Sequence, residues 1–261
     1  MWEIEELDLD AYLDRIGHSW VTPSAESLHS LHRAHVLAIP FENIDVILGT
    51  HPGIGLNAIQ AKLVRRQRGG YCYEHTLLFG AALERLGFAV ERRVARVQPH
   101  KSGPRTHALL KVGVDGQEFL ADVGFGAGQL YPTPLKDGVI VDQGGWDHRL
   151  TADGDAWTLS KQTPDGWIPQ HASNDEPVRP IDYEVYHHYV STHRDSPFTG
   201  RPVVMRVADG VNRRLIGAEL TTEYADGRST HRVVPAGDLP AVLATLDVVL
   251  SDEEVDRLRL L

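Results

Sequence analysis

The sequence predicts an α+β protein in which helices come first, antiparallel strands follow, and helices return at the end. Apolar residues before residue 87 recur at the three- and four-residue spacing of amphipathic helices. Six Asp-Gly dipeptides, a strong signal for two-residue hairpin turns, all fall after residue 100. This segregation of helical and hairpin patterns is typical of an α+β architecture.

The first part of the chain, residues 1–87, is predicted to be helical. After one short amphipathic segment, Thr22 is expected to cap a second helix, with Pro23 at its first position and Pro40 at its end. Asn57 is expected to cap a further helix.

The second part is predicted to consist of hairpins and meanders. Residues 139–190 are expected to be short strands, and two C-terminal helices are expected after Asp238 and Ser251. The other predicted strands are 88–98, 106–114, 117–123, 203–207, 211–216, 220–224 and 228–233.

Composition excludes several classes of function. The net charge of −10 argues against a general nucleic-acid binder. No stretch approaches the roughly 18 apolar residues that a membrane helix needs. An acidic start without an apolar run, together with a single cysteine, leads us to expect a cytoplasmic protein.

The single cysteine, Cys72, is the strongest candidate for a reactive group. It cannot form an internal disulfide or a zinc site of several thiolates. Gly69 and Gly70 precede it and permit a sharp bend with positive φ, and a helical pattern follows as far as Gly87. Cys72 is thus predicted on the first helical turn, where the helix dipole favours a thiolate. The alternative is a cysteine that only packs in the core.

A nucleophilic cysteine needs a base and a group that orients the base. If Asp115-Gly116 is a two-residue hairpin turn, residues whose numbers sum to 231 face each other. His107 and Asp122 are then diagonal neighbours on one face, within side-chain reach. The pattern favours a thiolate–imidazolium pair of Cys72 and His107 oriented by Asp122, whereas a surface His–Asp pair is the alternative.

These residues lie in motifs that resemble those of the arylamine N-acetyltransferases. The segments that carry the resemblance are 68–75 (RGGYCYEH), 106–107 (TH) and 122–126 (DVGFG), with 39–43 (IPFEN), 189–193 (YVSTH) and Phe198 in support. One departure is Thr76, where the family usually has Asn.

The resemblance implies a fold of three parts that shares its catalytic core with papain-like peptidases and transglutaminases. The parts are a helical bundle carrying Cys72 (1–87), a β-barrel carrying His107 and Asp122 (88–190) and an α/β lid (191–261). It also implies an acceptor pocket whose lining residues are Phe41, Tyr73, Val97, Thr106, Phe125, Gly126 and Phe198.

The implied activity is a two-step acetyl transfer. Cys72 takes the acetyl group of acetyl-CoA as a thioester, and the nitrogen of an arylamine or arylhydrazine then attacks it. No metal and no membrane or nucleic-acid partner is expected. His29, His32 and His35, three residues apart, are interpreted as a polar helix face.

Three other functions remain open. One is an amide synthase of the same fold that closes a macrolactam from a carrier-bound polyketide acyl chain. Another is a cysteine peptidase or transglutaminase. The last is a binding protein that keeps the fold without catalysis.

Overall fold

The computed structural model describes residues 2–126 and 128–260. Its N-terminal region is helical, as predicted, apart from one very short strand. The elements are α1 (Leu9–Ile16), α2 (Ala25–Ala38), β1 (Phe41–Glu42), α3 (Ile44–Ile47), α4 (Leu56–Gln60) and α5 (Cys72–Leu86).

Two of the predicted helix starts are each wrong by two residues. Ser24, not Thr22, caps α2, because its hydroxyl accepts a hydrogen bond from the Ser27 backbone N–H at 3.0 Å. Asn57 lies inside α4 rather than capping it, and Gly55 occupies the cap position.

An eight-stranded antiparallel sheet, curled into a nearly closed barrel, forms the centre of the molecule. Its order is β5-β4-β3-β2-β9-β8-β7-β6. The strands are β2 (Ala89–Val97), β3 (Arg105–Val114), β4 (Gln117–Ala121), β5 (Thr133–Pro134), β6 (Ile140–Asp142), β7 (Asp147–Asp153), β8 (Ala156–Thr163) and β9 (Gly166–Asn174).

The prediction of strands throughout 139–190 is wrong at its C-terminal end. Residues Pro180–Thr192 form the helix α6, with the proline at its first position. Asp182 accepts a hydrogen bond from the Arg179 backbone N–H at 2.7 Å and closes the first turn. His187 and His188 therefore lie on a helix.

A second, five-stranded sheet of order β1-β10-β11-β12-β13 follows in the chain. The predicted meander is confirmed, and β1 joins its edge through pairing of Phe41 with Met205. The remaining elements are β10 (Val203–Ala208), β11 (Val211–Ile216), β12 (Glu219–Tyr224), β13 (Ser229–Val233), α7 (Leu239–Ala244) and α8 (Asp252–Leu258). The α+β class is confirmed, while the division into three domains stays a prediction.

Helix α5 holds these layers together. It packs on β2 and β3, and nearly all of its side chains are buried. Thr76 on this helix donates a hydrogen bond from Oγ1 to the Ala108 carbonyl at 3.0 Å, so its hydroxyl fixes the helix to the strand that carries His107. Among the residues described, no helix is long and apolar enough to span a bilayer.

Candidate active site

Cys72 is the first residue of α5, as predicted, and its side chain is buried. Glu74, in the first turn, accepts a hydrogen bond from the Tyr71 backbone N–H at 3.1 Å and so stabilises the helix start. The helix ends at Gly87, which adopts a φ of +98°. The thiol thus lies at the positive end of a buried helix dipole.

The reason for the two glycines before Cys72 differs from the predicted one. Neither Gly69 nor Gly70 has a positive φ. Instead both stand where other atoms approach too closely for a side chain. A Cβ on Gly69 would overlap the Pro40 carbonyl oxygen, and one on Gly70 would lie 2.6 Å from Glu74 Oε2. The bend is therefore specified by packing against neighbours rather than by backbone dihedral freedom.

The hairpin of β3 and β4 has the register deduced from the Asp-Gly turn. Val114 pairs with Gln117 and Leu110 with Ala121, so the numbers of paired residues sum to 231. Strand β4 ends at Ala121, and Asp122 follows it directly. His107 Nε2–H donates to Asp122 Oδ2 at 2.7 Å, and both side chains are buried.

Burial and charge together fix the ionisation of this pair. Burial alone would lower the pKa of His107, but the Asp122 carboxylate and the neighbouring Cys72 outweigh it and raise that pKa above its ordinary value. Burial alone would raise the pKa of Asp122, but His107 and His171 hold it well below its usual range. The pair is therefore an imidazolium and a carboxylate at neutral pH.

Cys72 lies beside this pair and beside the Thr106 backbone. Its Sγ is 3.9 Å from the Thr106 carbonyl oxygen, which also accepts a hydrogen bond from the Tyr73 hydroxyl at 2.8 Å. Cys72 is among the groups that raise the pKa of His107, so the thiol and the imidazole are close neighbours. The structure thus brings together the three side chains of the predicted triad.

Most residues of the predicted pocket cluster near these groups. The ring centroid of Phe41 is 5.8 Å from that of Phe198, and the Phe125 centroid is 5.1 Å from that of His107. Gly126 has a φ of +74°, and a Cβ there would lie 2.8 Å from the sulfur of Met205. A small cavity next to Asp122 is bounded by Phe41, Gly126 and Met205.

Val97 occupies a more exposed position than the other predicted pocket residues. It is the last residue of β2, is 38% exposed, and pairs with His171 across the sheet. Paired residues point to the same face, so Val97 lies on the rim of the side that carries the imidazole.

Sequence reasoning missed His171. It is fully buried on β9, and its Nε2 lies 3.1 Å from Asp122 Oδ2. No local spacing connects β9 with the end of β4, because β3 and β2 lie between them in the sheet and the two approach each other only through its curvature. Tyr71 was also missed, although it directly precedes Cys72, and its hydroxyl contacts His187 on α6.

A buried ionic network lies under the helix start. Lys62 contacts Glu74 at 2.9 Å and Asp45 at 3.4 Å, and Arg68 contacts Glu42 at 2.9 Å. Burial opposes ionisation of Glu74, but Lys62 and His51 outweigh it and lower the pKa of that carboxyl. These ion pairs fix residues 68–71, the loop before Cys72, to α3 and to the segment that carries Lys62.

The histidines of α2 are not the polar face expected from their spacing. His32 and His35 are fully buried, and His35 bridges the Tyr12 hydroxyl and His75 Nδ1 at 2.8 and 2.9 Å. Within residues 2–126 and 128–260, the groups able to converge on a metal ion are His107, Asp122 and His171. A cation there would replace the proton between His107 and Asp122.

Comparison with known proteins identifies the family. The family model described as N-acetyltransferase matches residues 24–254. An arylamine N-acetyltransferase of Mycolicibacterium smegmatis is 40% identical over 86% of this chain and 85% of its own length. This chain belongs to the arylamine N-acetyltransferase family.

Solved structures of the family agree with this assignment. The arylamine N-acetyltransferase of Nocardia farcinica matches with a TM-score of 0.93 and 40% identity, over 99% of this chain and 95% of that one. A Mycobacterium marinum arylamine N-acetyltransferase in complex with CoA matches with a TM-score of 0.89 and 31% identity, over 97% and 98% of the two chains. The resemblance inferred from the motifs is confirmed, and the chain is a transferase of this family.

Proposed function

We propose that this enzyme transfers an acetyl group from acetyl-CoA, through a thioester on Cys72, to the nitrogen of an arylamine or arylhydrazine. The observation that carries the proposal is the buried His107–Asp122 pair, joined at 2.7 Å, beside a cysteine at a helix N-terminus. The family assignment supports the acceptor class, and the CoA-bound relative from Mycobacterium marinum supports the donor.

In the first step the Cys72 thiolate attacks the carbonyl carbon of acetyl-CoA. The free backbone N–H groups of the first turn of α5 lie at the developing oxyanion, where fixed donors stabilise it most. The bond to the CoA sulfur then breaks, and the His107 imidazolium gives its proton to the departing thiolate. Acetyl-Cys72, free CoA and a neutral His107 result.

In the second step the acceptor nitrogen attacks the thioester. His107, now neutral, takes the proton that the nitrogen loses, and the Cys72 thiolate leaves as the amide forms. The starting imidazolium–thiolate pair is thereby restored. Asp122 stabilises the imidazolium at both stages, because it keeps its negative charge throughout.

The proposed acceptor pocket suits a flat aromatic molecule. Phe41 and Phe198 provide apolar ring faces, and Phe125 packs against both His107 and His171. Aromatic walls bind such acceptors by stacking and by burial of apolar area. Gly126 leaves the space beside Phe41 open, because any side chain there would meet Met205 or Phe41 itself.

Intact-protein mass spectrometry after incubation with acetyl-CoA alone tests the proposal. We expect a gain of one acetyl group that is absent in Cys72→Ala and is lost when an arylamine or arylhydrazine is added. No gain in a protein whose Cys72 still reacts with iodoacetamide would reject acetyl-CoA as donor. The amide-synthase alternative would then be tested with carrier-bound acyl chains.

A further inference from the structure

Asp122 has a second imidazole neighbour besides His107. His171 Nε2 lies 3.1 Å from Asp122 Oδ2, the oxygen that also accepts from His107 Nε2 at 2.7 Å. The other oxygen, Oδ1, accepts from the Gly124 backbone N–H at 3.2 Å. Two imidazole nitrogens and one backbone N–H, from three parts of the chain, therefore surround one buried carboxylate.

The chemistry of the contact fixes the tautomer of His171. A carboxylate only accepts hydrogen bonds, so a nitrogen held against it is favourable only when it carries hydrogen. Burial lowers the pKa of His171, although Asp122 opposes this effect, so the ring is neutral at neutral pH. A neutral ring held in this way has its hydrogen on Nε2 and a bare Nδ1, although neither nitrogen meets the geometry of a hydrogen bond among the described residues.

The His171 ring is held in place from several sides. Its backbone pairs with Val97 on β2 and with Leu159 on β8. Its ring centroid lies 5.1 Å from that of Phe125 and 5.3 Å from that of His107. The contact between His171 Nε2 and Asp122 Oδ2 is close, but the N–H axis is not aligned with the oxygen, so in this structure it is an electrostatic contact.

We propose that His171 is a positioning residue that donates its Nε2–H to Asp122 Oδ2 and shares this oxygen with His107. The inference rests on the proposed function for the role of the triad. Its first consequence concerns the orientation of the Asp122 carboxylate, which cannot turn away from His107 while His171 and Gly124 hold it. Its second concerns the acid strength of the His107 imidazolium, because an Asp122 oxygen shared with His171 attracts the His107 proton less strongly.

The second consequence matters for the proposed mechanism. His107 must hold its proton beside the Cys72 thiolate, yet release it to the departing CoA sulfur. Asp122 alone would hold that proton too firmly, and a second donor on the same oxygen moderates the attraction. The titratable groups that face His171 are Asp122, His107 and His148, and His148 is buried and neutral because burial lowers its pKa to about 4.

The first experiment uses the unmodified protein. Nitrogen-15 NMR of the histidine side chains distinguishes the two neutral tautomers without any substrate. We expect His171 to carry hydrogen on Nε2 at neutral pH, with its signals assigned through a His171→Gln variant. A hydrogen on Nδ1 instead would overturn the proposal, because Nε2 could then not donate to Asp122.

The second experiment compares His171→Phe, which removes both nitrogens, with His171→Gln, which keeps an N–H donor. In His171→Phe we expect the pKa of His107 to rise by roughly one unit, since Asp122 is no longer shared. We expect kcat to fall about tenfold with unchanged KM for the donor. His171→Gln should recover most of both effects.

His148→Gln is the matched control, because His148 is another buried histidine of the barrel whose Nδ1 hydrogen-bonds the Trp146 carbonyl instead. It should leave kcat and the His107 titration unchanged. An unaltered His107 titration in folded His171→Phe, or equal behaviour of the Phe and Gln variants, would show that His171 only fills the core. A stoichiometric metal ion bound through His107, Asp122 and His171 would also overturn the proposal.

The tautomer and the His107 titration are read without turnover. A failure of the proposed acetyl transfer therefore leaves this inference testable, and a failure of this inference leaves the acetyl-enzyme experiment unaffected. If His171→Phe does not fold, the tautomer of the unmodified protein still decides the question.

Discussion

Replacement of Asp122 by asparagine isolates the charge of the buried carboxylate, because the amide has nearly the same shape. The His107–Asp122 contact is 2.7 Å long, and both side chains are almost wholly buried. Coulomb's law with an effective dielectric of about 20 gives a gross attraction of about 6 kcal/mol for two unit charges at this separation. Desolvation offsets part of it, and loss of one partner from a buried pair typically costs about 3 kcal/mol.

The substitution should act on both catalysis and stability. Without the carboxylate, the pKa of His107 loses the largest of the causes that raise it and therefore falls. Cys72 then loses its imidazolium neighbour, and we expect kcat to fall by about 10⁴-fold, the loss found when the aspartate of a Ser-His-Asp triad is replaced by asparagine. The rate of alkylation of Cys72 by iodoacetamide at neutral pH should fall as well.

The stability difference should depend on pH in a defined direction. The raised pKa of His107 stabilises the fold fully below about pH 6.5, its value in the unfolded chain, and the effect is lost as pH rises through the folded pKa. The lowered pKa of Asp122 stabilises the fold above about pH 4 and the effect is lost in acid. Urea unfolding should therefore show the largest gap between wild type and Asp122→Asn between these two values.

Asp115→Asn is the matched control, because it removes the same charge from the exposed turn of the same hairpin. Asp115 has a φ of +52°, which asparagine tolerates well. The asparagine side chain can still accept the hydrogen bond that Asp115 Oδ2 takes from the Ala25 backbone N–H at 2.8 Å, so this variant should keep full activity. Near-normal turnover by Asp122→Asn, or a stability gap that is equally large at every pH, would refute the electrostatic argument.

Three further predictions concern the surroundings of the site. Gly124→Ala should lower kcat about a hundredfold, because the added Cβ would lie 2.9 Å from Cys72 Cα and displace the cysteine. Gly113→Ala is the control: its Cβ would lie 3.6 Å from Ala89 Cβ, an ordinary contact, and its steady-state kinetics should be normal. Glu74→Gln should lower the free energy of unfolding in urea by about 3 kcal/mol, because the buried Lys62 ammonium loses a carboxylate partner. Glu118→Gln is the control: it loses only a surface ion pair with Lys111 and should cost under about 1 kcal/mol. Burial lowers the pKa values of His32, His75 and His148, each to about 4. The unfolded chain therefore binds more protons than the folded protein below about pH 6.5, and the melting temperature should fall as the pH is lowered from about 6.5 to about 4. An unchanged melting temperature would contradict the burial of these rings in neutral form.

Local rules predicted the two halves of the candidate site, and the family motifs joined them. Helical periodicity and the glycine stop placed Cys72 at the start of α5, and the Asp-Gly turn fixed the register that brings His107 to Asp122. Both features depend on residues close in sequence, where the repeat of 3.6 residues and the pairing rule of a two-residue hairpin apply directly.

The errors arose where the local signal was ambiguous. The segment that contains α6 was assigned to strands because it follows a run of hairpins and its amphipathic pattern is weak, although Pro180 marks a helix start. The three-residue spacing of the α2 histidines predicts a polar helix face, yet His32 and His35 are buried, where they form hydrogen bonds with Tyr12, His75 and the Leu130 carbonyl.

The sequence by itself determined the helix start at Cys72 and the hairpin that joins His107 to Asp122. The tertiary structure alone decided what surrounds them: the close approach of Pro40 that requires Gly69, and the imidazole of His171 beside Asp122. The physical reason is that both contacts join segments far apart in the chain. Their proximity depends on how helices pack and how the barrel closes, and neither is encoded in the spacing of neighbouring residues.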